Sequence, residues 1–245
     1  MQEHELWVTV LFNDYLAGLG NSVLSLVRFE AQNPARPWAN FITMQIVTAI
    51  VIVVVFGILR TRLSMDRPNK MQHIFEVFYN FLHQESEDNA GHEGPKYLAY
   101  FVTVFFFVLF SNLLGIVPGF ESPTMFPYVP CGIALATFCY YNLMGIQAHG
   151  AAGYFKHFMG PMPLLAPLMI PIEIFSHLAR PLSLTIRLFA NMFAGEQVTL
   201  VFLSMTYFLI PAVFMGLHVF VSFMQAYVFA LLSMVYVGTA VAHEH

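Results

Sequence analysis

The chain has 245 residues, 58% of them hydrophobic and only 10% charged, where soluble domains carry about 45–50% apolar and about 25% charged residues. That balance excludes a large water-soluble globular domain, and a net charge of −4 from 10 basic and 14 acidic residues excludes a nucleic-acid surface. The apolar residues gather into runs close to the ~20 that carry a helix across ~30 Å of hydrocarbon.

The start, Met-Gln-Glu-His-Glu, lacks the basic and short apolar regions of a cleaved leader, so insertion is expected to use the spans themselves. Residues 1–40 are mixed, with Pro34 and Pro37 near their end, and read as an arm outside the bilayer; residues 41–245 read as one membrane domain. The first span, 41–59, is followed at once by Arg60, Arg62, Arg67 and Lys70. Basic residues mark a cytoplasmic end, which puts the N-terminus outside. Ile74, Phe75, Phe78, Phe81 and Leu82 then recur at helical spacing opposite Glu76, Asn80 and His83, as in an amphipathic helix lying on the membrane surface. The polar run 84–94 reads as a cytoplasmic loop.

The second span is expected over 97–117, turning outside through Pro118-Gly119-Phe120-Glu121-Ser122-Pro123, and the third over 129–147. Cys131 and Cys139 fall in that one helix about 12 Å apart along its axis, too far for a disulfide, and read as core thiols. Past His149, Lys156 and His157, Pro161, Pro163 and Pro167 introduce an apolar tract running almost to the C-terminus. Residues 167–204 would make a helix of about 57 Å, nearly twice the hydrocarbon thickness. A second long stretch, 211–241, opens with Pro211, suited to a first helical turn. The expectation is an all-α membrane protein of about five embedded helices plus one interfacial helix, the last two long, strongly tilted and paired as a hairpin. Counting crossings makes the C-terminus cytoplasmic.

The first hairpin helix carries Glu173, His177, Arg180, Arg187 and Glu196, and ionisable groups inside a span cost several kcal/mol unless paired or wet. At 100° per residue, positions 173, 176, 180, 183, 187 and 191 fall within an arc of about 80°, a stripe that predicts an aqueous or ion-facing side. Ser176, Ser183 and Ser222 fit helix packing equally well. Arg180 is close enough to the cytoplasmic end to snorkel. Arg187 cannot shed its charge, and no carboxylate of this chain shares its face one turn away, so the counter-charge is expected from a partner. Glu196 lies about 180° from Arg187 and is expected to face the second helix, where His218, Ser222 and Gln225 form a shorter stripe. Glu196 with His218 makes a candidate proton relay.

The stretch Pro181-Leu-Ser-Leu-Thr-Ile-Arg187-Leu-Phe-Ala-Asn191-Met-Phe-Ala-Gly195-Glu196 resembles the signature of the ATP synthase subunit a family. It is joined by His218 and Gln225, by Ser111-Asn112-Leu113-Leu114 before Pro118, and by the order of spans. The resemblance implies a stationary subunit of an F-type ATP synthase, beside a ring of c subunits that each carry a membrane-buried carboxylate, with a subunit b stalk and the lipid bilayer of a bacterial plasma membrane as its setting. It implies that Arg187 faces those carboxylates and separates two offset half-channels. It further implies that Asn112, Asn191, Glu196, His218 and Gln225 line the outer half-channel, and Glu173, Ser176 and Ser183 the cytoplasmic one. Where some relatives have acidic residues after the Asn-Leu motif this chain has Gly115 and Phe120, which leaves Glu121 or water to serve the outer vestibule.

No Cys-x-x-Cys, His-Glu-x-x-His or phosphate-binding Gly-rich motif occurs, so no metal, cofactor or nucleotide is expected on this chain; His243-Glu244-His245 reads as a solvated tail. A self-contained secondary transporter is the alternative, but the internal repeats usual there are missing. An intramembrane hydrolase would need a nucleophile–base pair that the spans lack.

Overall fold

The structure, a computed structural model, describes residues 5–26, 33–64, 68–91, 94–117, 119–157, 166–205 and 209–241. Arg67, Pro118, Pro161, Pro163 and the His243-Glu244-His245 tail lie outside them. Seven α-helices occur among the described residues: α1 (Trp7–Leu26), α2 (Asn40–Thr61), α3 (Lys70–Ala90), α4 (Gly94–Leu114), α5 (Tyr128–His157), α6 (Ala166–Met205) and α7 (Leu209–Val241). Five are long and apolar enough to cross a membrane: α2, α4, α5 up to Gly150, α6 and α7.

The described residues among 1–40 hold more order than a mixed arm suggests. Within α1, Asn13 exchanges two hydrogen bonds with the Trp38 backbone, at 3.2 and 3.0 Å, and the Trp38 indole donates to the Leu16 carbonyl at 2.9 Å. The helix is thus clipped to the chain just before α2 begins.

At the centre, α4 packs against α7 through Phe101, Phe105, Val108, Ala226, Phe229 and Ala230. Lipid tails are as apolar as these side chains, so close van der Waals packing, more than exclusion of water, holds the helices together. Rings of α3 join them: Phe78 lies 5.9 Å from both Phe105 and Phe223, and Phe81 lies 5.4 Å from Tyr227.

Those contacts correct the loop expected over 84–94. Residues 84–90 continue α3, whose far end is pressed into the bundle. A Cβ at Gly238 of α7 would stand 2.6 Å from the Asn89 carbonyl oxygen, so only glycine lets the two backbones approach so closely. Gly91, at φ 68°, then ends the helix. Ile74, expected on the packed face, is exposed, while Phe75 faces inward.

The second span starts and stops three residues early, at Gly94 and Leu114. Its end is set by the return of the chain: Ser122 Oγ donates to the Ser111 carbonyl at 3.0 Å, satisfying an acceptor at the helix terminus. α5 is interrupted at Gly150, φ 72° and ψ 158°, after which Tyr154 folds back so that its ring lies against Gly145. Cys131 and Cys139 are free and exposed on α5, not core thiols, because α5 turns toward α6 and α7 by its other side.

The long hairpin is present. α6 runs unbroken through Pro171 and Pro181 for 40 residues, about 60 Å, and Phe202 stacks on Phe214 of α7 at 4.2 Å. Among its described residues only Leu184, Leu188 and Met192 are buried within the chain, so α6 is a wall with one face on the bundle and the rest open.

Candidate functional site

Leu184, Leu188 and Met192 define the buried face of α6, while Phe175, Leu182, Ile186 and Phe193 are exposed on the other side. The polar stripe runs along the margin between the two. Ser176, Ser183 and Asn191 are exposed, and Glu173, Arg180 and Arg187 are half-buried. A margin is where a side chain can serve both the chain's own interior and whatever covers the open face.

Toward the end of α4 and the turn after it, buried polar groups form a cluster. Thr124 Oγ1 donates to Asn112 Oδ1 at 2.6 Å and lies 2.7 Å from Ser122 Oγ. Asn112 Nδ2 donates in turn to the Ser222 carbonyl of α7 at 3.4 Å. One turn along α7, Gln225 Oε1 accepts from Asn191 Nδ2 at 2.8 Å, joining α7 to the stripe. Glu196 and His218 belong to the same region, and the His218 ring packs over Gly195, within 3.5 Å of where a Cβ would stand. They do not hydrogen bond to each other: Glu196 Oε2, His218 Nε2 and Gln225 Nε2 are buried without a partner among the described residues. Buried polar atoms are nearly always satisfied by protein or ordered water, so this is a place suited to water. Glu121 lies near enough to act electrostatically on Glu196.

At the opposite end of the stripe a second cluster forms, and sequence reasoning missed most of it. Glu173 Oε1 is 3.3 Å from His177 Nε2, and His177 Nδ1 is 3.0 Å from the buried Tyr141 hydroxyl of α5. The i,i+4 spacing of Glu173 and His177 was a usable signal; nothing in the periodicity of α5 marks Tyr141. Arg180 meets aromatic rings of α5 and α7. Its guanidinium sits 5.8 Å from the centre of the Tyr141 ring and 5.1 Å from that of Tyr236, held by two aromatic faces, a placement that gains when desolvated. Tyr154 donates to Asn142 Oδ1 at 2.8 Å beside them. Ser176 and Ser183 make no side-chain hydrogen bond among the described residues and sit apart from both clusters on the open margin.

Arg187 stands between the clusters, about 6 Å along the axis from Asn191 and about 21 Å from Glu173. Among the described residues its guanidinium has no hydrogen bond and no salt bridge. A helical membrane wall with a half-buried cation between two clusters of polar groups defines an integral membrane protein of the ion-transport class.

Relatives agree. The family described as ATP synthase A chain matches residues 41–238, and the chain belongs to that family. It is 64% identical over 235 residues to ATP synthase subunit a of Solibacter usitatus, covering 96% of this chain and 100% of that protein. The protein of the same name from Koribacter versatilis is 46% identical over 242 residues, 99% of each chain. That from Aquifex aeolicus is 38% identical over 205 residues, 80% of this chain and 94% of its own.

Proposed function

We propose that this chain is the stationary proton-channel subunit of an F-type ATP synthase, coupling proton flow to rotation of a c-ring. The observation that carries the reading is Arg187: a permanent cation, half-buried on the margin of an open apolar wall and without a partner among the described residues. Leaving such a charge uncompensated inside a membrane is costly, and a ring carboxylate passing along the wall would compensate it.

The cycle is the one the family resemblance implies, and the charge and position of Arg187 are in keeping with it. A proton reaches the ring by the outer half-channel, through Asn112, Asn191, Glu196, His218 and Gln225, where buried unpaired atoms favour water. It leaves, after the ring has turned, by the cytoplasmic half-channel, past Glu173, Ser176 and Ser183. Arg187 draws each deprotonated carboxylate into the gap and repels protons that would cross directly. The lipid-embedded complex, with its c-ring, subunit b stalk and nucleotide-handling subunits, sits in a bacterial plasma membrane with the N-terminal arm outside and the C-terminus cytoplasmic.

Arg187→Ala tests this in membrane vesicles carrying the assembled complex. The expected outcome is loss of proton-driven ATP synthesis together with a passive leak, because the barrier between half-channels is the charge itself. Retained ATP-driven pumping overturns the proposal. Arg187→Lys keeps a charge but changes its reach and hydration, and is expected to be badly impaired as well.

A further inference from the structure

Far from the polar stripe, α2 ends and α3 begins at a corner of the bundle that carries Arg60, Arg62 and Lys70. A cavity of about 70 Å³ opens there, walled by Ile58, Leu59, Met71 and Phe75 and edged by Arg62 and Asn69. It is preformed: the buried Gln72 amide accepts from the Ser64 N–H at 3.1 Å and donates to the Ser64 carbonyl at 3.2 Å and to Glu76 Oε1 at 2.7 Å. That brace fixes the turn after α2 against α3. Among the described residues the lining has no carboxylate, and Glu76 is engaged by Gln72 and lies 3.7 Å from His73. Arg62 has no side-chain partner among the described residues.

The volume limits what can enter. The cavity walls are mostly apolar and suit the start of a hydrocarbon chain, so a phosphate must sit at the edge beside Arg62 and Asn69, and the remainder of any larger ligand must lie outside. An apolar lane is available: Ile50, Val54 and Ile58 are exposed by 53%, 50% and 53% and, at four-residue spacing, share one side of α2. The lane is about 12 Å long and runs directly into the cavity wall.

We propose that this corner is a binding site for an anionic phospholipid, with Arg62 holding the phosphate and an acyl chain lying along Ile58, Val54 and Ile50. Arg60 and Lys70 favour a lipid of net negative charge over a zwitterionic one, and the lane favours a lipid over a free anion. The site serves the protein's seating in the bilayer and stands whether or not the proton-path reading holds.

The test uses the assembled complex in neutral detergent, with photoactivatable phosphatidylglycerol or phosphatidylcholine and mass-spectrometric mapping of labelled peptides. Phosphatidylglycerol is expected to label the 50–75 region more than phosphatidylcholine by roughly fivefold for each basic residue engaged. Arg62→Gln, an exposed position whose change leaves packing intact, lowers that labelling about fivefold, while Arg62→Lys retains most of it. Equal labelling by the two lipids, or undiminished labelling of R62Q complex that still copurifies with its ring, overturns the proposal. Loss of the label to millimolar inorganic phosphate makes the corner a free-anion site and overturns it as well.

Discussion

Arg187 carries a guanidinium with no partner among the described residues, so its place decides what it can do. It sits at the edge of the open face, and Asn191, one turn on, is tied to Gln225 at 2.8 Å. The residues around it were legible as a stripe because helical periodicity converts spacing into direction. Partners across helices were not: Tyr141 meets His177 only because α5 and α6 are packed together. Glu196 and His218 show the same limit. Spacing put them on facing sides of the hairpin, while the structure places His218 over Gly195 and leaves both buried polar atoms without a direct bond. A relay between them would have to run through water. In proton-driven ATP synthesis, Glu196→Gln and His218→Asn should each slow proton uptake, and the double mutant should depart from the sum of the singles by about 1 kcal/mol in activation free energy. Additivity within about 0.5 kcal/mol in a double-mutant cycle would remove the relay.

α6 is about 60 Å long where the hydrocarbon is about 30 Å thick, and an upright helix would leave half of its apolar surface outside. Tilt removes that mismatch and would lay the margin along the c-ring of the proposed assembly. Cysteines at Ser176, Ser183, Arg187 and Asn191, in a chain whose exposed Cys131 and Cys139 have been replaced by alanine, should crosslink to the ring at nearly the same membrane depth. Depths that change by about 1.5 Å per residue would mean an upright helix. α3 teaches the opposite lesson about length. Its polar end from residue 84 looked like a loop because its own composition offers little to bury, yet Ser86 is fully buried. The docking depends on Gly238, more than a hundred residues away in sequence, and no local window contains both.

Across the whole molecule, the packed core lies where α4, α7 and the end of α3 meet, and the outlying wall of α6 is mostly uncovered. A protein arranged in this way is expected to act only when the wall is covered. Purified and reconstituted alone in vesicles, the chain should pass protons at least tenfold more slowly than the intact membrane sector, measured by a pH-sensitive dye under an imposed gradient. Equal flux would identify a self-contained transporter.

Apolar run lengths, basic flanks and the 3.6-residue period determined by themselves that the chain is helical, that it has five candidate spans, that its last two helices are long, and which residues share the polar margin. These are local properties, set by hydrocarbon thickness and helix geometry. Tertiary structure alone decided that Arg180 is held between Tyr141 and Tyr236, that Cys131 and Cys139 point away from the core, and that α3 docks along its full length. Each depends on which helix faces which, and that choice is made by close packing between segments far apart in the chain.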